Sequence, residues 1–160
     1  MFGVPQRCSV DDWLAASGAR RHDTVIDVRS PAEFADDHLP GAVNWPVLDD
    51  DERREVGTLY VQVSPLAARK RGAALVTRRI ADILERQVAE RPRDWQPLVY
   101  CWRGGQRSGS LSIVLAQIGF RTRQLQGGYK AFRALVRELE TQSAGSTRAR
   151  TSTPSSSAAA

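Results

Sequence analysis

One stretch of the chain is equipped for chemistry: Leu98-Val99-Tyr100-Cys101-Trp102-Arg103-Gly104-Gly105-Gln106-Arg107-Ser108-Gly109-Ser110. A thiol is followed by two glycines that two arginines bracket. The apolar run before Cys101 reads as a buried strand, and the Leu, Ile and Val spacing from Leu111 to Ile118 reads as a helix. Gly104 and Gly105 open backbone conformations closed to other residues. The N–H groups of such a strand-loop-helix turn can therefore converge at the helix N-terminus and form an anion site. A thiolate at its mouth is stabilised by the helix dipole and by Arg103 and Arg107. Settings of this kind lower a cysteine pKa from about 8.5 into the range of roughly 3.5–7.5. A free cysteine is often only a small buried hydrophobe. A Gly-Gly loop flanked by arginines is a poor way to build a core, because glycine loses the most entropy on ordering.

The rest of the chain must position that loop, and its organisation follows from capping signals and periodicity. Ser9 precedes Asp11-Asp12 as a helix N-cap, and Thr24 to Val28 reads as a strand. Ser30-Pro31-Ala32-Glu33 is a second helix start, with serine at the cap, proline at the first position and glutamate where a capping box needs it. Pro40-Gly41 marks a turn before a strand at Ala42 to Trp45. Asp49 to Arg54 opens a helical segment. Ser64-Pro65 opens a long helix with Val76, Ile80, Ile83, Leu84 and Val88 on one face, leaving Arg69, Lys70, Arg71, Arg78 and Arg79 for the outside. Gly119 reads as a helix C-cap, Arg121 to Leu125 as a weak strand, and Gly127-Gly128-Tyr129 as a turn into a last amphipathic helix. Strands alternating with helices predict an α/β fold, an open parallel sheet with helices on both faces. From Thr141 the apolar content is alanine alone, so residues 141–160 are expected to be a disordered tail after a domain spanning 1–140.

The 160 residues suffice for one domain with a proper core. Cys8 and Cys101 cannot make a disulfide framework, and no stretch reads as a signal peptide or membrane span, so a cytoplasmic protein is expected. His22 and His38 are too isolated for a metal site. The net charge of +5 is unevenly spread: residues 1–60 carry six basic and twelve acidic side chains, residues 61–140 fifteen and six. The cysteine loop lies in the basic part, which suits an anionic partner such as phosphate, a chalcogen anion or RNA.

Cys101 to Ser108 spells C-x-x-G-x-x-R-S, a pattern that resembles both the anion loop of cysteine-dependent phosphatases and the active loop of rhodaneses. Ile26-Asp27-Val28-Arg29, His38-Leu39-Pro40-Gly41-Ala42-Val43-Asn44 and Gly127-Gly128-Tyr129 resemble a rhodanese domain in the same order. Tyr100 stands where the protein-tyrosine-phosphatase motif has histidine. Val47 to Arg53, Val56-Gly57-Thr58-Leu59-Tyr60, the helical insertion and Cys-Trp-Arg-Gly-Gly are similar to the N-terminal rhodanese domain of bacterial tRNA 2-selenouridine synthases, over about Asp23 to Leu139. That resemblance implies a rhodanese-like fold and no bound cofactor. It implies selenium replacement of sulfur in the wobble 2-thiouridine of tRNA, with selenophosphate and geranyl diphosphate as co-substrates. It makes Cys101 the chalcogen-carrying nucleophile and has Arg103, Arg107 and the Gly104, Gly105, Gln106, Arg107 and Ser108 amides hold the anionic selenium or sulfur donor. Trp102 is given a base or isoprenyl contact, with core packing the equal alternative. Asp27 and Arg29 brace loops by charge pairing, and His38 shapes a turn. The family continues into a phosphate-loop domain that this sequence does not contain, which leaves a separate phosphate-loop partner as one expectation. The phosphatase reading needs a general acid, for which Asp27 is the candidate. A third reading is a non-catalytic RNA- or protein-binding module.

Overall fold

The computed structural model describes residues 3–16 and 22–150, and the side chains up to residue 147. Five strands, β1 (Gln6–Cys8), β2 (Thr24–Asp27), β3 (Val43–Asn44), β4 (Pro97–Tyr100) and β5 (Arg123–Leu125), form one parallel sheet in the order β1-β5-β4-β2-β3. Six α-helices connect and cover them: α1 (Val10–Ala16), α2 (Pro31–Asp36), α3 (Asp50–Gln62), α4 (Pro65–Ile83), α5 (Gln106–Ile118) and α6 (Gly128–Arg150), with α4 prolonged by a π-helical turn at Leu84–Val88.

Parallel strands need both faces covered, and the core divides accordingly into two clusters. On β4, Val99 joins Ile26, Val76, Ile80, Leu111 and Leu115 on one side, while Leu98 and Tyr100 join Trp13, Leu39, Leu125 and Phe132 on the other. This is the period-two alternation of a strand. It carries one residue further, so that Cys101 falls on the side of α4 and α5. The predicted helix face holds: Val76, Ile80, Ile83 and Val88 are buried, with Leu84 packed against them.

The predicted caps are also in place. Ser9 Oγ accepts from Asp12 N–H, Ser64 Oγ accepts from Ala67 N–H, and the Glu33 carboxylate accepts from Ser30 N–H at 2.9 Å. Of the five cations assigned to the outside of α4, Arg79 is only half-exposed. It bonds Asp49 at 2.6 Å and also pairs with Glu52, tying α4 to the start of α3.

One strand was not foreseen and one expectation is revised. β1 carries no strand signal in the sequence, yet it pairs with β5 in register Gln6↔Arg123 to Cys8↔Leu125 and closes one edge of the sheet. The last helix does not stop at residue 140: α6 runs to Arg150, and the remainder of the expected tail, 151–160, lies outside the described residues. Residues 141–147 are exposed, so their helix is held by continuation of the hydrogen-bonded turns rather than by burial.

Candidate active site

Ligand sites of open parallel sheets lie beyond the carboxyl ends of the strands. Here the ends of β2, β4 and β5 deliver Asp27, Cys101 and Gln126 to one edge of the sheet. The loop from Cys101 to Gly105 turns from β4 into α5, and Gly104 takes φ +72°. A Cβ at Gly104 would meet Leu125 O at 2.9 Å and Gly127 N at 3.0 Å. The loop is clamped from below by the Gly127-Gly128-Tyr129 turn. Tyr129 N–H donates to Cys101 O at 2.9 Å and Lys130 N–H to Trp102 O at 3.0 Å. Gly128, at φ +57°, is so close that a Cβ there would lie 2.3 Å from Cys101 O. That turn is therefore the floor of the cysteine loop.

Cys101 is 3 % exposed, and its Sγ lies 3.1 Å from Ser108 Oγ in the first turn of α5. The positive end of the α5 dipole faces the sulfur's end of the helix. Among the described residues, no group accepts from the N–H groups of Trp102 to Gly105. Arg103 and Gln106 stand exposed at the rim. Trp102 is not in the core: it is 39 % exposed, with its ring 5.4 Å from that of Tyr129.

Arg107 is placed differently from expectation. Its guanidinium bonds both carboxylate oxygens of Glu33, at 2.8 and 3.3 Å, and so ties α5 to the capping box of α2. Half-burial pushes the Glu33 carboxyl up, but the Arg107 hydrogen bonds and charge, with the donations from Ser30, outweigh it and hold the group at about 2.

Asp27 and Arg29 form a buried ion pair, 0 % and 2 % exposed, with Arg29 Nη2 2.7 Å from Asp27 Oδ2. Arg29 also donates to Asp37 O at 2.6 Å and lies 4.3 Å from the centre of the Tyr129 ring. Tyr100 O–H donates to Asp27 Oδ2 at 2.6 Å and accepts from Leu39 N–H at 3.1 Å. Burial, and then the adjacent Asp27 carboxylate, push the Tyr100 phenol upward, keeping it a neutral donor. Asn44 closes the group by donating to Asp27 O and Arg29 O. The pair thus joins β2, β3, β4 and the loop after α2. Sealed in this way, Asp27 cannot reach a leaving group, and the phosphatase reading loses its acid. His38 stacks on Phe34 and bonds its carbonyl at 2.8 Å, with Gly41 at φ +76° completing the turn.

One residue escaped the sequence reading. Gln124, on β5, donates from Nε2 to Ser108 Oγ at 2.8 Å and Gly104 O at 3.0 Å, with Gly105 O at 3.3 Å. No local motif marks it, since its partners lie across the sheet. Beside the loop, a cavity of about 670 Å³ opens between α3, α4 and α5, with Val56, Tyr60, Val76, Gln106, Arg107 and Ile113 among its walls.

Residues 9–135 match the family model of the rhodanese-like domain. The chain belongs to the rhodanese-like domain family. Relatives of this rhodanese domain include the tRNA 2-selenouridine synthase of Chromohalobacter salexigens, 42 % identical over 82 % of the chain and 37 % of that protein. The synthase of Bdellovibrio bacteriovorus is 40 % identical over 72 % of the chain and 31 % of that protein. The chain spans about a third of the length of these curated relatives. Among solved structures, the N-terminal domain of a putative ATP/GTP binding protein from Clostridium difficile is 31 % identical with a TM-score of 0.69. That match covers 82 % of this chain and 98 % of the other. A rhodanese-related protein from Thermoplasma volcanium shares the fold at 18 % identity and a TM-score of 0.51. Among the described residues no helix is long and apolar enough to cross a membrane.

Proposed function

We propose that this rhodanese domain carries sulfur or selenium on Cys101 and delivers it for the conversion of wobble 2-thiouridine to 2-selenouridine in tRNA. The observation that carries the reading is the placement of Cys101 Sγ at the start of α5. There it lies beside Ser108 Oγ, at the head of a loop whose Trp102 to Gly105 N–H groups have no protein acceptor among the described residues. With thiosulfate as donor, the Cys101 thiolate attacks the outer sulfur. A bond forms to Sγ as the bond to sulfite breaks, sulfite leaves with the electron pair, and Cys101 keeps a persulfide anion. Loop amides and the helix dipole stabilise charge on the donor and on the adduct. A sulfane-level selenium donor such as selenosulfate loads the same position in the same way: the thiolate attacks selenium and sulfite again leaves with the electron pair. The cavity beside the loop suits the isoprenoid chain of a geranylated thiouridine intermediate, and exposed Trp102 suits stacking on a base. A phosphate-loop domain of the kind the family resemblance implies would supply geranyl diphosphate and tRNA contacts.

The test is intact-mass and peptide mass spectrometry after incubation with thiosulfate or selenosulfate. One sulfur or selenium atom on the Cys101 peptide is expected, with none on Cys101→Ser. Equal labelling of that variant, or an unlabelled native chain, overturns the reading. Salt-sensitive tRNA binding that survives Cys101→Ala without any adduct would make the domain a binding module instead.

A further inference from the structure

Gln124 is 8 % exposed, and its carboxamide faces two carbonyl oxygens of the cysteine loop, Gly104 O and Gly105 O. Carbonyls only accept, so the atom presented to the loop is the nitrogen. The same nitrogen lies 2.8 Å from Ser108 Oγ, which therefore accepts at that side. Ser108 has a single hydroxyl hydrogen. Two acceptors lie within its reach, Gly105 O at 3.2 Å and Cys101 Sγ at 3.1 Å. Once the sulfur is ionised, the bond to it is charge-assisted and prevails over the bond to a neutral carbonyl.

We propose that Gln124 is a positioning residue for the nucleophile: by occupying the acceptor side of Ser108 with a donor, it leaves the Ser108 hydrogen for the Cys101 thiolate. The assignment rests on the reading of Cys101 as the chalcogen-carrying sulfur. Gln124 touches no reacting atom and acts through Ser108. A group of the same shape that accepts instead would take the Ser108 hydrogen away from the sulfur. Gln124→Glu makes that reversal and also sets a carboxylate against the two loop carbonyls.

The experiment follows alkylation of Cys101 by iodoacetamide in the full chain as a function of pH, read by mass spectrometry of the Cys101 peptide so that Cys8 does not contribute. Gln124→Leu strips Gly105 O of its side-chain donor and so lets that carbonyl compete for the Ser108 hydrogen. It is expected to slow alkylation at neutral pH by up to roughly ten-fold, the limit set by full loss of a hydrogen bond to a charged group, and to displace the pH profile to higher pH. Gln124→Glu should do so more strongly. Ser108→Ala alone should give a similar displacement, and adding Gln124→Leu to it should slow the reaction no further. Gln124→Met, closer in shape, repeats the measurement if the leucine variant does not fold. An unchanged profile in the folded Gln124 variants overturns the proposal, as does an equal slowing on the Ser108→Ala background. Alkylation requires no chalcogen donor, so a Cys101 that takes up no sulfur while its alkylation depends on Gln124 would refute the transfer reading and leave the positioning role standing.

Discussion

Replacing Glu33 by Gln tests whether the clamp between α2 and α5 stabilises the folded chain. The carboxyl is held at about 2 in the folded state against an ordinary 4.5. At about 1.36 kcal/mol per pKa unit this sets an upper bound of about 3 kcal/mol, which water at the edge of the pair reduces to a working figure of about 2. Because the folded value is the lower one, the unfolded chain binds the proton first as pH falls. The stabilisation is therefore complete above about pH 4.5 and is lost as the pH descends toward 2, with more than half gone near pH 3. Other carboxylates titrate alike in both proteins and cancel in the difference. Urea unfolding of native chain and Glu33→Gln at pH 6 and pH 3 should show the native advantage shrinking by about 1–2 kcal/mol at the lower pH. A difference that stays constant would refute the reasoning and release Arg107 from structural duty. With Gln at position 33, Arg107 also loses its carboxylate and faces the loop with its charge uncompensated, so the KM for thiosulfate should fall.

Three further outcomes are expected. Gly128→Ala places a methyl 2.3 Å from Cys101 O at φ +57°; it should destabilise the fold by roughly 2–4 kcal/mol in urea and slow Cys101 alkylation, because the floor of the loop must move. Tyr100→Phe leaves the buried Leu39 N–H without its acceptor and removes one donor from Asp27; a loss of about 1–3 kcal/mol is expected, with faster amide hydrogen exchange at Leu39. Ser64→Ala removes the acceptor for Ala67 N–H at the start of α4; thermal or urea unfolding should register about 1 kcal/mol, with sulfur uptake unchanged.

Local chemistry makes much of this protein legible in its sequence. Serine caps at Ser9, Ser30 and Ser64, the proline after two of them, and the single apolar face from Val76 to Val88 each act within a few residues, so the helices they start or bury could be read directly. The charge pairing of Asp27 with Arg29 was implied by the family resemblance, though its burial was not. Cys101, Gly104 and Gly105 announced a thiol in a tight turn, since few other structures use those residues together.

What remained was decided by residues far apart in sequence. β1 is three residues long and exists because β5 offers it an edge, a condition that no window of sequence contains. Arg107 reads as an anion clamp until the fold brings Glu33 to it across 74 positions. Gln124 reads as a polar residue in a weak strand until β5 is seated beside β4 and its carboxamide meets the cysteine loop. The sequence by itself settled which atoms can do chemistry and which segments curl or extend, because propensity, capping and periodicity act locally. Only the tertiary structure settled which charges are spent on each other and which polar groups support the sulfur, because hydrogen bonds and ion pairs form between whatever the sheet order and helix packing bring within about 3 Å.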